Sequence, residues 1–218
     1  MSKVLIVGAH GKIALQAAPR LQAAGHEVSG VIRKAEQSDD VRAVGAEPVV
    51  ADIEHVSVEE IAEVIGDHDT VVWSAGAGGG SPERTYSVDR DAAIRTIDAA
   101  QKAGAERLVM VSYFGAGPDH GVPEDNSFFA YAEAKIAADA HLADSALGWT
   151  ILRPSALTDE DGTGGVATGE GVSASQVSRA TVADVIAAVV AAPQATAGLT
   201  LEFNDGDQQV AEVLGVTG

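Results

Sequence analysis

The sequence contains no cysteine, so disulfide bonds and thiol catalysis are excluded. Aromatic residues make up only 4% of the chain against 46% for all hydrophobic residues, so aliphatic side chains and alanine must fill the core. No apolar run approaches the roughly 20 residues that a membrane-spanning helix needs. The chain is therefore expected to fold as a soluble protein around an aliphatic core.

Basic residues are also scarce, because 14 Lys and Arg stand against 32 Asp and Glu and the formal net charge is −18. Nucleic-acid binding needs clustered cations, and an anionic membrane surface repels a chain of this charge. We therefore expect neither a nucleic acid nor a membrane as a partner. The first residues enter a strand without the layout of a signal peptide, which favours a cytoplasmic location.

Strand-like and helical segments alternate along the chain. Val4 to Val7 is a continuous apolar run of the kind found in buried parallel strands, and Lys12 to Ala24 carries apolar residues on one helix face. The length suits one α/β domain, so residues 1–218 are predicted to form a single domain. The alternation predicts a doubly wound, mostly parallel sheet with helices on both faces.

The turn signals divide the chain into seven strands and six helices. Strands are predicted over 4–7, 27–32, 48–51, 70–74, 107–111, 149–152 and 199–203, and helices over 12–24, 35–44, 57–65, 88–103, 128–147 and 182–192. Ser57 and Glu60 have the spacing of a capping box. Glycine-rich segments at 76–80 and 161–171 follow strands, so both are expected at the carboxyl edge of the sheet, where such folds bind ligands.

A glycine pattern, G-x-x-G-x-x-A, joins the first strand to the first helix. Gly8 permits a tight turn, and Gly11 lets the backbone approach a pyrophosphate at the helix N-terminus. At this place in a βαβ chain, the pattern predicts an NAD(P)-binding Rossmann fold. The candidate cofactor contacts are Gly8, His10, Gly11, Lys12 and Ile13, although His10 is alternatively only a turn residue.

The end of the second strand bears on the choice of cofactor. NAD enzymes usually carry an acidic residue there, whereas this chain has Arg33 and Lys34, two cations suited to a 2′-phosphate. We therefore expect NADP(H) to be preferred, with NAD(H) also possible. Asp52 and Ile53 follow the third strand, where the aspartate or the Ile53 amide can hold adenine, or Asp52 serves a turn.

Several segments, taken in order, resemble the atypical short-chain dehydrogenase/reductases, the NAD(P)H-binding group related to epimerase/dehydratase and NmrA-like proteins. The resemblance implies a bound NAD(P), with Ala75 and Gly76 at the nicotinamide-side ribose and Pro154, Ser155 and Leu157 near the nicotinamide. It leaves activity open, because many atypical members serve as sensors. The segments that carry it are 8–14, 50–53, 74–76, 88–91, 111–112, 131–135, 153–158 and 178–180.

Tyr131 and Lys135 lie four residues apart on a predicted helix and therefore share one face. An ammonium beside the phenol is expected to lower its pKa, and the tyrosine then delivers a proton to a carbonyl oxygen as hydride reaches the carbon. Lys135 can also bind the nicotinamide ribose, and Ser112 can hold the carbonyl oxygen. These three residues are the predicted catalytic set, and no metal-ligand spacing is present.

The substrate side is predicted within residues 154–181, where 161–171 can form a lid. This region is small, which favours an NADP(H)-dependent oxidoreductase acting on a small carbonyl or quinone-like molecule. The alternatives are an epimerase/dehydratase-like enzyme and a non-catalytic NADP(H) redox sensor. The expected partner is a small-molecule substrate, and the chain is expected to be a monomer or a homodimer.

Overall fold

The computed structural model describes residues 1–79 and 81–215. Its main feature is an eight-stranded sheet in the order β3-β2-β1-β4-β5-β6-β10-β8, beside a separate two-stranded sheet formed by β7 and β9. The strands are β1 Lys3–Val7, β2 Glu27–Ile32, β3 Glu47–Val50, β4 Thr70–Trp73, β5 Arg107–Val111, β6 Gly148–Pro154, β7 Ala156–Thr158, β8 Val166–Ala167, β9 Gln176–Ser178 and β10 Leu199–Asp205.

The helices alternate with the strands as the sequence predicts, with changes at their ends. A 3₁₀ turn over Ala35–Gln37 precedes α2, and a π-helical turn over Tyr86–Ala92 joins α4 to α5. The predicted helix 88–103 therefore begins earlier, and it contains a widened turn. The α-helices are α1 Lys12–Ala23, α2 Ser38–Ala43, α3 Val58–Ile65, α4 Pro82–Thr85, α5 Ala93–Ala103, α6 Phe129–Ala143, α7 Arg179–Ala191 and α8 Val210–Val213.

The pairs from β3 through β10 are all parallel, and only β8 runs antiparallel to its neighbour β10. One apolar cluster packs α1 and α7 against one face of the sheet, and a second packs α3, α5 and α6 against the other. The strand order reverses direction between β1 and β4, which creates a crevice at their carboxyl ends. The predicted α/β doubly wound sheet, mostly parallel and covered on both faces, is thus confirmed.

Three short strands were absent from the sequence prediction. Within the predicted lid, Val166 and Ala167 form β8 and pair with Asp205 and Asn204 of β10, so this part of the segment is a sheet edge. Strands of two or three residues are too short to show a periodic pattern, which explains why they were missed. None of the helices in the described ranges has both the length and the apolar character needed to cross a membrane.

Candidate functional site: a cleft across the carboxyl edge

A cavity of about 320 Å³ opens at the crevice between β1 and β4. Residues that follow four neighbouring strands line it, because the carboxyl ends of parallel strands meet at one edge. The glycine turn supplies its floor, and the segments after β2, β3 and β4 supply its walls. The predicted cofactor residues that line it are Gly8, His10, Gly11, Arg33, Asp52, Ile53, Ala75 and Gly76.

The backbone at Gly8 leaves no room for a side chain. Its φ is +85°, and a Cβ there would lie 2.7 Å from the Cα of Ala75. Gly11 is the N-cap of α1, and a Cβ on it would lie 3.1 Å from the carbonyl oxygen of Gly8. Both glycines therefore allow the β1–α1 turn to lie close to the β4 loop. Gly11 lines the cavity and begins α1, and the first amides of a helix have no backbone acceptor, so this end of α1 suits a dinucleotide pyrophosphate.

The other predicted contacts of this turn occupy different places. The imidazole of His10 bonds Asp40 at 2.8 Å and Gln37 at 3.1 Å, so it ties the turn to the segment after β2. The Lys12 ammonium lies outside the cavity and pairs with Asp159. The structure therefore brings His10 to the cleft, whereas Lys12 is not among the residues that line it.

The two cations after β2 are separated by the structure. Arg33 lines the cavity, whereas Lys34 is exposed and does not. Successive side chains of an extended segment point in opposite directions, which explains the difference. The Asp52 carboxylate accepts from the Glu54 amide at 3.3 Å and bonds His55 at 3.0 Å, so it serves the turn that the sequence offered as its alternative role.

The sequence spacing gave no metal ligands, but the structure brings one group of such side chains together. Asp52, Glu54 and His55 each place a ligand-type atom within 4.8 Å of the others. These residues are adjacent in sequence on a single turn, and Asp52 and His55 already bond each other. Protein partners therefore account for this cluster, and we assign no metal to it.

A second cavity of about 530 Å³ shares the β4 loop, residues 74–77, with the first. Ile13 and Leu157 also line it. The three predicted catalytic residues, Ser112, Tyr131 and Lys135, line it together. The structure thus brings the predicted set together in a cavity next to the one that the glycine turn lines.

Lys135 is buried and held by two elements. Its ammonium donates to the carbonyl oxygen of Val111 at 2.9 Å and lies 3.6 Å from the carboxylate of Asp89. Asp89 lies in the π-helical turn and also accepts from the Ala77 amide at 2.9 Å. The turn therefore positions one buried carboxylate against both the lysine and the β4 loop, a use of π turns that is common at functional sites.

The expected lowering of the Tyr131 pKa is wrong. Burial of the phenol raises its pKa, and the carboxylates of Asp89 and Asp139 raise it further. The Lys135 ammonium lies 5.9 Å from the centre of the ring, while it bonds the Val111 carbonyl and faces Asp89. The phenol therefore stays protonated at neutral pH, and the raised pKa makes it a weaker acid than a free tyrosine.

A buried carboxylate behind Ser112 was missed by the sequence reasoning. The Ser112 hydroxyl donates to Asp139 at 2.8 Å, and the Arg153 guanidinium donates to the same oxygen at 3.2 and 3.3 Å. Tyr131, Lys135 and Asp139 follow one another at four-residue intervals on α6 and so share one face. The sequence did contain a signal for this carboxylate, because Asp139 continues the four-residue spacing of Tyr131 and Lys135 along α6.

A third cavity of about 720 Å³ adjoins the second at Ser112, Phe128, Tyr131 and Leu157. Pro154 and Ser155 line this third cavity rather than the cofactor cavities. The rings of Tyr113, Phe128 and Tyr131 pack together with centroids 5.2 to 5.7 Å apart. Much of the small aromatic content of the chain is therefore gathered on one wall, near the polar groups of His120 and Arg179.

Comparison with known proteins agrees with this geometry. A Bacillus subtilis protein named as the uncharacterised sugar epimerase YhfK is 35% identical over 97% of this chain and 98% of its own length. The UPF0659 protein C216.03 of Schizosaccharomyces pombe is 33% identical over 98% of this chain and 94% of its own.

Two solved structures show the same fold over nearly the whole chain. One from Bacillus halodurans, which its name places among the NAD-dependent epimerases/dehydratases, has a TM-score of 0.91 and 34% identity, and all of both chains are covered. The oxidoreductase ylbE of Lactococcus lactis has a TM-score of 0.85 and 27% identity over 98% of this chain and 95% of its own.

The family described as NAD(P)H-binding matches residues 8–193, from the glycine turn to the end of α7. This range contains the three cavities' functional side chains. The crevice fits a nicotinamide dinucleotide, because glycine backbone, an arginine and a buried lysine lie along one continuous groove. The resemblance to epimerase/dehydratase and NmrA-like proteins is therefore confirmed, and the chain belongs to the NAD(P)H-binding family, with an oxidoreductase- or epimerase-like Rossmann fold.

Proposed function

We propose that the chain is an NADP(H)-dependent oxidoreductase that reduces a small carbonyl or quinone-like substrate. The observation that carries this proposal is the second cavity, which places Ser112, Tyr131 and Lys135 together beside the dinucleotide cleft. A reductase needs a proton donor and a hydrogen-bond donor for the substrate oxygen close to the hydride source. The cavity offers a protonated phenol and a serine hydroxyl at that place.

Each residue then has a separate task. When bound, the cofactor supplies the hydride to the substrate carbon. The Tyr131 phenol gives its proton to the substrate oxygen, and water restores that proton afterwards. Ser112, whose hydroxyl proton goes to Asp139 in this structure, hydrogen-bonds the same oxygen by turning that proton toward the substrate. Asp89 holds the β4 loop through the Ala77 amide, and Lys135 offers its ammonium to a ribose hydroxyl. The result is a hydroxyl product and an oxidised cofactor.

The third cavity supports a planar, conjugated substrate. Its wall of Tyr113, Phe128 and Tyr131 offers ring faces and edges, which favour stacking with another flat ring. Phe128 and Leu157 are 41% and 39% exposed, which is unusual for large apolar side chains. A quinone-like or aryl carbonyl compound would cover both while its oxygen reaches Ser112 and Tyr131.

The test combines cofactor binding with turnover. We expect calorimetry to show NADPH binding more tightly than NADH, and Tyr131→Phe to reduce quinone or aryl-ketone turnover by roughly 100-fold or more while binding stays unchanged. Tyr86→Phe is the matched control, because Tyr86 contacts Arg90 and lines none of the three cavities. Full turnover by Tyr131→Phe would remove the phenol from the mechanism.

An epimerase/dehydratase-like activity is the second candidate, favoured by the names of YhfK and the Bacillus halodurans structure. Such an enzyme takes hydride from its substrate and returns it, so the cofactor stays bound throughout turnover. Purified protein that carries tightly retained NAD(P) and shows no net consumption of NADPH would favour it. A redox sensor would instead bind NADP(H) reversibly and show no turnover in either the wild-type chain or Tyr131→Phe.

A further inference from the structure

A second arginine reaches the cleft wall that holds Arg33. Arg84 belongs to α4, which follows β4, whereas Arg33 follows β2. Both line the 320 Å³ cavity, and the carboxylate of Glu54 lies there with them. The same oxygen, Oε2 of Glu54, is 3.9 Å from Arg33 Nη1 and 3.6 Å from Arg84 Nη2. Two cations from separate elements therefore converge on one anion inside the crevice.

Glu54 is held in this place by its backbone. Arg95 of α5 donates to the carbonyl oxygens of Ile53 and Glu54 at 3.2 and 2.9 Å. The Glu54 side chain is only 13% exposed, whereas those of Arg33 and Arg84 are 48% and 37% exposed. The carboxylate is therefore the most buried member of the group, and both guanidinium groups are more exposed than it is.

The charges of Arg33, Arg84 and Glu54 do not balance. Across residues 1–79 and 81–215, Glu54 provides the only carboxylate within 4.0 Å of either guanidinium, so two positive charges share one negative charge. Both contacts are also longer than the roughly 2.7–2.9 Å of a charge-assisted hydrogen bond. Arg84 also donates through Nη1 to the carbonyl oxygen of Ala77. The remaining donors on both arginines are available for an anion with more charge and more oxygen atoms than a carboxylate, such as a phosphate monoester.

We infer that Glu54 is an internal counter-ion that competes with the 2′-phosphate of NADP(H) for Arg33 and Arg84, and that these three residues set the cofactor preference together. The inference rests on the proposed nicotinamide cofactor. A 2′-phosphate takes both arginines from Glu54, at the cost of leaving that carboxylate near a second anion. NAD(H) has a hydroxyl instead, and Glu54 can accept its hydrogen, as acidic residues do in NAD enzymes.

The experiment measures binding rather than turnover. Titration calorimetry with 2′,5′-ADP and with 5′-AMP isolates the 2′-phosphate, because the two probes differ only by that group. We expect Arg84→Gln to weaken 2′,5′-ADP binding roughly 10- to 100-fold, as Arg33→Gln should, and to leave 5′-AMP binding unchanged. Glu54→Gln removes the competing charge and should tighten 2′,5′-ADP binding roughly three- to tenfold while 5′-AMP changes little or weakens.

Arg42→Gln is the matched control, since Arg42 is an exposed arginine that pairs with Asp39 and lines none of the three cavities. It should leave both affinities as in the wild-type chain. Unchanged 5′-AMP binding in the three arginine variants shows that the fold and the adenosine site are intact, and a cooperative thermal transition at the wild-type Tm shows that Glu54→Gln is folded. If the wild-type chain prefers 2′,5′-ADP but neither Arg84→Gln nor Glu54→Gln changes that preference, this inference is overturned and the proposed function stands. If the wild-type chain binds neither probe nor NADPH nor NADH, both fail.

Discussion

At the scale of single residues, Asp139 gives the clearest link between burial and chemistry. It is 3% exposed, and one of its carboxylate oxygens accepts hydrogen bonds from Ser112 and Arg153. The other oxygen is also buried and has no hydrogen-bond partner within the described residues. Burial raises the pKa of Asp139, and the hydrogen bond from Ser112 and the charge of Arg153 partly offset this rise. The ionised carboxylate therefore lowers the stability of the folded chain, and it lies within hydrogen-bond distance of Ser112, the candidate catalytic serine.

This cost predicts a pH-dependent difference between the wild-type chain and Asp139→Asn. Because the folded-state pKa is raised, the wild-type contribution to stability is full below the ordinary pKa of aspartate and is lost as the pH rises through the folded value. Relative to Asp139→Asn, which does not titrate there, the free energy of unfolding of the wild-type chain should fall from pH 4 upward and then level off. Urea denaturation of both proteins from pH 4 to 8 measures this.

Asp144→Asn supplies the control for that series, because Asp144 is an exposed carboxylate at the end of the same helix. Its curve should run parallel to that of the wild-type chain. Parallel curves for Asp139→Asn as well would contradict the raised pKa and leave Asp139 as an ordinary ion-pair partner of Arg153.

At the scale of elements, the sequence predicts a structural feature correctly where interactions between neighbouring residues determine it. The capping box is confirmed, since Glu60 donates its amide to Ser57 Oγ at 3.2 Å and its carboxylate accepts from the Ser57 amide at 2.9 Å. The π turn over 86–92 was not predictable from residue spacing, since the contacts of its Asp89 are with residues distant in sequence. Asp89 must reach the Ala77 amide and Lys135, which lie on other elements.

The cap of α3 predicts a measurable stability effect. Ser57→Ala removes the side-chain acceptor and the reciprocal contact with Glu60, so the free energy of unfolding should fall by about 1 kcal/mol. In a chain of this length, that corresponds to a Tm lower by roughly 2–4 °C in scanning calorimetry. Ser173→Ala, at an exposed loop serine, should leave Tm unchanged; an equal fall in both variants would mean that the cap contributes nothing of its own.

The residues of the candidate site likewise fall into those that sequence spacing predicts and those that only long-range contacts reveal. The glycine turn, Ser112, Tyr131 and Lys135 were predictable, because their order and spacing along a βαβ chain determine where the carboxyl ends of strands place them. The roles of Asp139, Glu54 and Arg84 were not predictable, since contacts between residues far apart in sequence create them. The separation of Arg33 from Lys34 likewise depends on which way the chain leaves β2.

At the scale of the whole molecule, charge is the dominant feature. The net charge of −18 lies mostly on exposed carboxylates, and the arginines and lysines that are present often pair with them, as in Lys3–Asp67 and Lys102–Glu59. The unpaired excess repels itself across the folded surface, which lowers stability when salt is scarce. The cofactor cleft therefore needs its own local cations to attract an anionic ligand to this surface.

The excess charge predicts that added salt stabilises the protein. Raising NaCl from about 10 mM to about 150 mM shortens the screening length from about 30 Å to about 8 Å, so repulsion among distant carboxylates should weaken and Tm should rise. Scanning calorimetry at pH 7 measures the change, and KCl should give the same rise if screening is the cause. A Tm that falls with salt would show that attractive pairs outweigh the repulsion.

The packing of α1 against α7 has a consequence for the order in which the protein can be made. Helix α1 packs against α7, and Ala14, Ala17 and Leu21 of α1 belong to the same apolar cluster as Val182 and Ile186 of α7. The Arg20–Asp184 ion pair joins the same two helices at the surface. When the first half of the chain has been synthesised, α1 is therefore present but α7, against which its apolar face packs, has not yet been made. The apolar layer that α1 shares with α7 can be fully buried only near the end of translation. Incomplete chains therefore expose this apolar face to water, and we expect them to be the form that most needs a chaperone.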